Sequence, residues 1–170
     1  QELLDWGEKL YKRLLFYAND QDPDILLIKY ELAFCYNQNH QIDRAVEIGE
    51  ELLSMKEWTF GGDRDSILLL LASIYIDQKK YTRAIVLYKQ FKDIPGFPRH
   101  CDDLMVYRNI IDCYYHTKQY HECSMEGDQL RHYVLKWDLW LDQIETHYET
   151  YEKLAEAYLH EQQYNSYLDV

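Results

Sequence analysis

Two groups of His, Cys and Asp side chains have the types that metal binding or nucleophilic catalysis requires. His116 and His121 precede Cys123, and such ligands can hold a transition metal if they converge. The consecutive His, Cys and Asp of His100–Asp102 have the types of a catalytic triad, but such sets come from distant segments because adjacent side chains do not converge. The sequence contains no CxxC pair, phosphate loop, GxSxG or HExxH motif. These patterns favour a protein that is not an enzyme and that has no metal or cofactor.

The composition narrows the class of protein further. Of the 170 residues 47% are apolar, whereas only 6 are Gly and 3 are Pro, which favours helices around a substantial core. Eighteen Lys and Arg against 30 Asp and Glu give a net charge of -12, so we expect no direct contact with nucleic acid or with anionic membranes. No apolar run approaches the roughly 20 residues that cross a bilayer. With no signal peptide visible and the four cysteines interpreted as reduced thiols, we expect a cytoplasmic protein.

One pattern recurs along the chain and indicates which elements position these side chains. A small residue is followed three positions later by an aromatic one, six further on by an apolar one, and three further on by a second small one. The first three copies are in step at 39 residues (Ala33 to Ala72) and the fourth follows after 44 (Ile111 to Ala155). Such a period is typical of a solenoid of stacked repeats. The four copies are Ala33, Tyr36, Ile42 and Ala45; Ala72, Tyr75, Tyr81 and Ala84; Ile111, Tyr114, Tyr120 and Cys123; and Ala155, Tyr158, Tyr164 and Tyr167.

Each copy is predicted to be a helical hairpin, so the fold is expected to be all-α. The polar segments NQNHQ, DQKK, HTKQ and HEQQ are the predicted turns, and the small residues let the two helices approach closely. This assigns Cys123 to the core rather than to a metal site. Cys35 and Cys113 each come directly before the packing aromatic of their repeat and are interpreted in the same way. We expect one repeat domain over 1–170, with repeats at 24–57, 65–95, 102–135 and 138–170, the last incomplete. Residues 1–20 would be the second helix of a partial repeat in a fragment of a larger protein.

The links between hairpins contain helix start signals. Asp22 is the predicted N-cap of the first hairpin, with Pro23 at the first helical position. Asp65 or Ser66 is expected to cap the second hairpin and Asp102 the third. Near Asp138 the helix is expected to run long, and Trp137 and Trp140 with Leu139 and Leu141 form an apolar patch that is either core or a contact with a partner.

These repeats resemble the tetratricopeptide repeat (TPR) family. The hairpins from Ala33 to Ala45 and from Ala72 to Ala84 match its small-aromatic-small core, whereas the third copy departs at Ile111 and Cys123 and the fourth at Tyr167. The period is longer than the family's usual 34 residues. The resemblance implies a right-handed superhelix of antiparallel hairpins, a TPR-like α-solenoid. Its concave groove would be lined by the first helix of each pair and would bind peptides or helices of partner proteins.

On each first helix, the face away from the packing contacts is predicted to line that groove. An Asn amide both donates and accepts, so Asn37 and Asn109 could pair with a peptide backbone, and Arg108 could bind a ligand carboxylate. The alternative is that these polar residues are only a solvated inner face. The predicted peptide-binding residues are Tyr30, Phe34, Asn37, Leu69, Leu70, Ser73, Arg108, Asn109, Asp112 and Tyr115, with His116 in the third copy and Glu152, Lys153, Glu156 and His160 at the same register in the fourth.

The resemblance distinguishes between kinds of TPR protein. Proteins that bind chaperone tails have a basic, Asn-rich clamp, and of the matching positions only Asn109 fits, which disfavours that function. Long repeats with groove asparagines look like the regulators of Gram-positive peptide quorum sensing, in which a DNA-binding domain precedes the repeats. We therefore expect the regulatory, ligand-binding part of such a regulator, with a peptide or protein ligand and with a homodimer allowed. The alternatives are a scaffold for protein assembly and a regulator of an enzyme whose active part lies elsewhere.

Overall fold

The computed structural model describes residues 2–14, 16, 22–55, 64–98, 103–136 and 148–168, with side chains between Leu4 and Gln162. Within these ranges the chain forms helices and no strand, as the sequence predicts. None of these helices combines the length and the apolar character needed to cross a bilayer. The helices are α1 (Glu2–Leu14), α2 (Pro23–Gln38), α3 (Ile42–Ser54), α4 (Arg64–Asp77), α5 (Tyr81–Lys92), α6 (Leu104–His116), α7 (Tyr120–Lys136) and α8 (Tyr148–Leu168).

The helices pack into two compact units, Gln1–Gln78 and Lys79–Val170. In the first unit α2 and α3 form the central hairpin, and α1 and α4 pack on α2 and α3 respectively. In the second unit α6 and α7 form the central hairpin, α5 packs on α6, and α8 packs on both α6 and α7. In each unit, the first helix of the central hairpin therefore lies between two second helices. That all of these helices form a single domain over 1–170 stays a prediction.

The turns confirm the 39-residue period. His40, Lys79 and Lys118 all have left-handed backbone, with φ of 59°, 58° and 59°. In two of the turns the next residue closes the helix end, because the N–H of Gln41 donates to the carbonyl of Tyr36 and that of Gln119 to Tyr114, both at 2.9 Å. This is the bond that a helix with a left-handed C-terminal residue makes to satisfy its last carbonyls.

The small residues are buried where the sequence places them. Ala33 and Ala45 belong to the same core cluster as Tyr36 in the first hairpin. In the third hairpin, Cys123 is fully buried and its thiol contacts the carbonyl of Ile111 at 3.7 Å. Cys123 is therefore a core residue at a helix crossing. A feature not recognised in the sequence joins successive repeats: Gly7, Gly49 and Gly127 on second helices contact Leu32, Leu71 and Leu154 on the first helices that follow.

Of the predicted helix caps within the described residues, one is confirmed and one is wrong. Asp22 caps α2, since its carboxylate accepts from the N–H of Asp24 at 3.0 Å with Pro23 at the first position. The caps predicted at Asp65 and Ser66 are wrong, because α4 begins at Arg64 and includes both residues. Asp102, Cys101, Trp137 and Trp140 lie outside the described residues.

The prediction of a fourth hairpin is also wrong. The predicted turn HEQQ and the start of a second helix are both part of α8, which continues from Tyr148 to Leu168. Glu and Gln are good helix formers, and HEQQ has none of the Asn, Asp or Thr residues that occur in the turns that do form, so the local signal to stop is weaker here. The small residue of this copy, Ala155, is exposed instead of buried.

Candidate functional site

Five predicted groove residues of the second unit surround one polar cavity of about 310 Å³. The residues of α6 lie on one face because their spacing is close to whole helical turns, and the packing of α8 on α6 adds the opposite wall. Two lining residues were missed, although they lie one turn before the predicted face of α8. The cavity is lined by Arg108, Asn109, Asp112 and His116 of α6 and by Glu149, Thr150 and Lys153 of α8.

Most of the charges in this cavity are already paired. Lys153 donates to the carboxylate of Asp112, and Nε2 of His116 lies 3.6 Å from the same carboxylate. Both side chains of the Lys–Asp pair are about three-quarters buried, at 24% and 27% exposure, so the pair is shielded from screening by salt. This ion pair links α6 to α8 and fixes one end of the cavity.

Arg108 differs from its neighbours. Its Nε atom is buried without a hydrogen-bond partner, and in the part of the chain that the structure describes its guanidinium forms no ion pair. A buried donor without a partner is costly, and a guanidinium prefers a carboxylate that it can contact with two parallel N–H groups. Arg108 is therefore positioned to bind an anionic group that enters the cavity.

Asn109 has a packing partner that the sequence did not reveal. Its side-chain amide donates to the hydroxyl of Tyr88 at 2.8 Å. Gly49, Tyr88 and Gly127 follow one another at intervals of 39 residues. Tyr88 is therefore at the position in α5 that a Gly occupies in α3 and α7. A Tyr at this contact brings a hydroxyl into the helix interface, and Asn109 supplies a donor to it. Part of the hydrogen-bonding capacity of Asn109 is thus used within the protein.

The remaining predicted groove residues occupy varied environments. Tyr115 donates to the carboxylate of Glu156, and this hydrogen bond raises the pKa of the Tyr115 phenol. In the first unit, Phe34 is 44% exposed, while Tyr30, Asn37 and Leu69 are half-buried and Ser73 is exposed. Leu70 does not line a groove: it is 9% exposed and packs with Leu32 and Ala33, because it faces the core side of α4.

The described cysteines and histidines occupy packed or paired positions. Burial raises the pKa of the Cys113 and Cys123 thiols to about 12, which disfavours the thiolate that a nucleophile or metal ligand needs. His121 pairs with the carboxylate of Glu161 at 2.5 Å. Within the described ranges, no three His, Cys, Asp or Glu side chains are placed to hold a metal ion.

The chain matches no protein-family model and no curated protein. Solved structures do match it. A Podosopora anserina putative kinesin light chain with nearly identical TPR-like repeats is 19% identical, with a TM-score of 0.73, and the match covers 99% of this chain and 82% of that one. A single-residue variant of the same protein gives 20% identity and the same TM-score and coverage. At this identity the likeness concerns the fold, and it agrees with the repeats and turns described above. The chain therefore has the TPR-like helical-repeat fold.

Proposed function

We propose that this chain is a protein-interaction module that binds a peptide segment of a partner in the α6–α8 cavity. The observation that carries the proposal is Arg108, whose Nε is buried and unpaired at the wall of a polar cavity. Repeats of this kind expose the first helix of each pair along one face, and α6 and α8 are both first helices. The residues available there are polar and charged, which suits a peptide better than an apolar small molecule.

The chemistry of the cavity defines the ligand. Arg108 would contact a carboxylate, supplied by a C-terminus or by an Asp or Glu side chain. The carboxylate of Glu149, which has no ion pair within the described residues, can accept an N–H of the same peptide. The neighbouring Asp112 and Lys153 neutralise each other, so this pair forms part of the cavity wall without adding net charge. The expected ligand is an extended peptide with one acidic group.

The finer assignment rests on the sequence resemblance. A peptide-responsive transcription regulator would use the same cavity as its sensor, while a scaffold or an enzyme regulator would use it to hold a partner. Cytoplasmic location and the lack of catalytic activity are part of this proposal. An acidic peptide that binds at Arg108 is common to all three alternatives, so the cavity can be tested before they are separated.

Calorimetric titration with short synthetic peptides tests the cavity directly. Each peptide is prepared with a free C-terminal carboxylate, with an amidated C-terminus, and with an internal Glu replaced by Gln. We expect saturable binding that depends on one of these carboxylates. Hydrogen bonds to charged groups contribute about 1.5–3 kcal/mol, so Arg108→Gln should weaken binding at least about tenfold.

The matched control is Arg64→Gln, which removes an exposed Arg from α4 in the other unit. It should bind with unchanged affinity. Asn37→Ala should also leave the affinity unchanged, because Asn37 belongs to the first unit and does not line the α6–α8 cavity. The proposal is wrong if no peptide of the series binds, or if Arg108→Gln and Arg64→Gln have the same effect.

A further inference from the structure

Within the described residues, no second helix packs on α8 in the way that α3 packs on α2 and α7 packs on α6. In the first hairpin Ala33 and Tyr36 are buried in one cluster with Ala45 of α3. In the third hairpin the thiol of Cys123 on α7 contacts the carbonyl of Ile111. The residue of α8 at the corresponding position, Ala155, is exposed. A helix packed as α3 and α7 pack would cover it.

The open face is apolar. Tyr148, Tyr151, Ala155 and Leu159 are spaced by three or four residues and therefore lie along one side of α8. Tyr148, Tyr151 and Leu159 are 68%, 37% and 59% exposed. The stripe is continuous with an apolar cavity of about 350 Å³ between α7 and α8, to which α7 contributes Gly127, Leu130, Arg131, Val134 and Leu135. An exposed apolar surface of this kind marks an interaction site.

Acidic residues follow one side of the stripe. Glu149, Glu152 and Glu156 are all exposed and share a face of α8 by the same helical spacing. Glu156 accepts from Tyr115, and the other two form no ion pair within the described residues. A helix that covers α8 would need an apolar face bordered by Lys or Arg.

Helix α1 has these properties. Gly7 and Gly49 both contact a Leu of the following first helix, at 3.0 and 2.7 Å from an added Cβ, which places α1 and α3 in the same register. Trp6 then corresponds to Ile48, which packs against the core in the first hairpin. Yet Trp6 is 64% exposed. Lys9 and Arg13, three and seven residues after Trp6, are exposed on the same side of α1. Lys12 lies on another side and pairs with Glu8 at 4.0 Å.

We propose that a second copy of this chain covers the α8 face with its α1. The pair would form a hairpin between copies, with Trp6 and its neighbours against the Tyr151–Leu159 stripe. Lys9 and Arg13 would then lie near the glutamates, which complements the charge of the two faces. The contact joins two different surfaces, so it is heterologous and each new copy leaves one α1 and one α8 open.

Sedimentation equilibrium of the 170-residue chain tests the contact. We expect the weight-average mass to rise continuously with concentration, and to fall again as added salt screens the charges. Trp6→Glu blocks one face and Ala155→Glu blocks the other. Each variant alone should stay at the monomer mass, since an anchor residue of this type changes affinity by about 30-fold or more. An equimolar mixture should form a single 1:1 dimer, because each variant retains the face that the other lacks.

Met125→Glu is the matched control, because it places the same charge at an apolar residue that is 52% exposed and lies on neither face. It should associate as the parent chain does, and circular dichroism should show native helix content for all three variants. A chain that stays monomeric at all concentrations would overturn the proposal. So would a dimer that Trp6→Glu leaves intact and Ala155→Glu abolishes, since that result means that two α8 faces pair with each other.

Discussion

The glycine contacts between repeats allow a stability prediction with an internal control. A Cβ added at Gly49 would lie 2.7 Å from Cδ2, 2.9 Å from Cγ and 3.2 Å from Cδ1 of Leu71. Leu71 is fully buried, so its side chain has no solvent side into which it could turn. At Gly7 the added Cβ would meet only the tip of Leu32, with Cδ2 at 3.0 Å and Cγ at 3.8 Å. The two replacements are chemically identical and differ in the severity of the clash.

The magnitude follows from two opposing effects. Replacing Gly by Ala inside a helix stabilises it by about 0.5–1 kcal/mol at either site. Forcing atoms into a packed core costs about 1–3 kcal/mol, and this cost falls mainly on Gly49→Ala. We therefore expect Gly49→Ala to be about 1–2 kcal/mol less stable than Gly7→Ala.

Urea unfolding measures the difference, because both glycines lie in the first unit and report on the same packing. With a slope of about 1–3 kcal/mol per molar urea, the midpoints should differ by roughly 0.3–2 M. In a Leu71→Ala background the cost of Gly49→Ala should disappear, because the clashing atoms are gone. If Gly49→Ala unfolds at the same urea concentration as Gly7→Ala or at a higher one, the close approach of α3 and α4 is not as described.

Three further predictions concern the second unit and the thiols. Asn109→Ala and Tyr88→Phe should each destabilise the second unit by about 1 kcal/mol, and a double-mutant cycle in urea should recover their hydrogen bond as a coupling of similar size; additive losses would contradict it. Alkylation at mildly alkaline pH should label half-buried Cys35 but spare Cys113 and Cys123 until urea is added, because burial raises the pKa of both thiols to about 12. The hydrogen bond to Glu161 raises the pKa of His121 above 6.5. The pKa of His121 is higher in the folded state than in the unfolded state. The pairing with Glu161 therefore stabilises the fold fully at a pH below the unfolded-state pKa, and this stabilisation is lost as the pH rises through the folded-state pKa. NMR titration should show this pKa fall in Glu161→Gln, and an unchanged value would contradict the pairing.

Local patterns predicted the features of the fold that depend on neighbours in sequence. The N-cap at Asp22 could be predicted because its carboxylate accepts from the N–H of Asp24, only two residues later. The first helical position also tolerates a Pro, here Pro23. The buried pair Ala33 and Ala45 follows from the repeated spacing, since small residues are needed where two helices cross closely. The missing turn in α8 shows the limit of this approach, because a weak polar signal at HEQQ was given the same weight as three stronger ones.

The candidate site was predicted less completely. Arg108, Asn109 and Asp112 were predicted to share one face of α6, and they line one cavity, because helical periodicity alone determines which residues share a face. The periodicity does not give their partners. Asn109 lines the cavity, and its amide also donates to Tyr88, 21 residues earlier on another helix. Leu70 was assigned to the groove because periodicity does not show where the core face of α4 ends. In the structure, Leu70 is buried in one cluster with Leu32 and Ala33 of α2.

By itself, the sequence determined an all-α chain of repeated hairpins, the residues at their crossings and the acidic surface, because helix periodicity, turn chemistry and net charge are local or additive properties. The tertiary structure decided which polar side chains are paired and which are left without a partner. The Asp112–Lys153 pair joins residues 41 positions apart, and Arg108 next to it is left without a partner. Such pairings depend on distances between helices that the whole set of buried side chains determines together, and no short stretch of sequence contains that information.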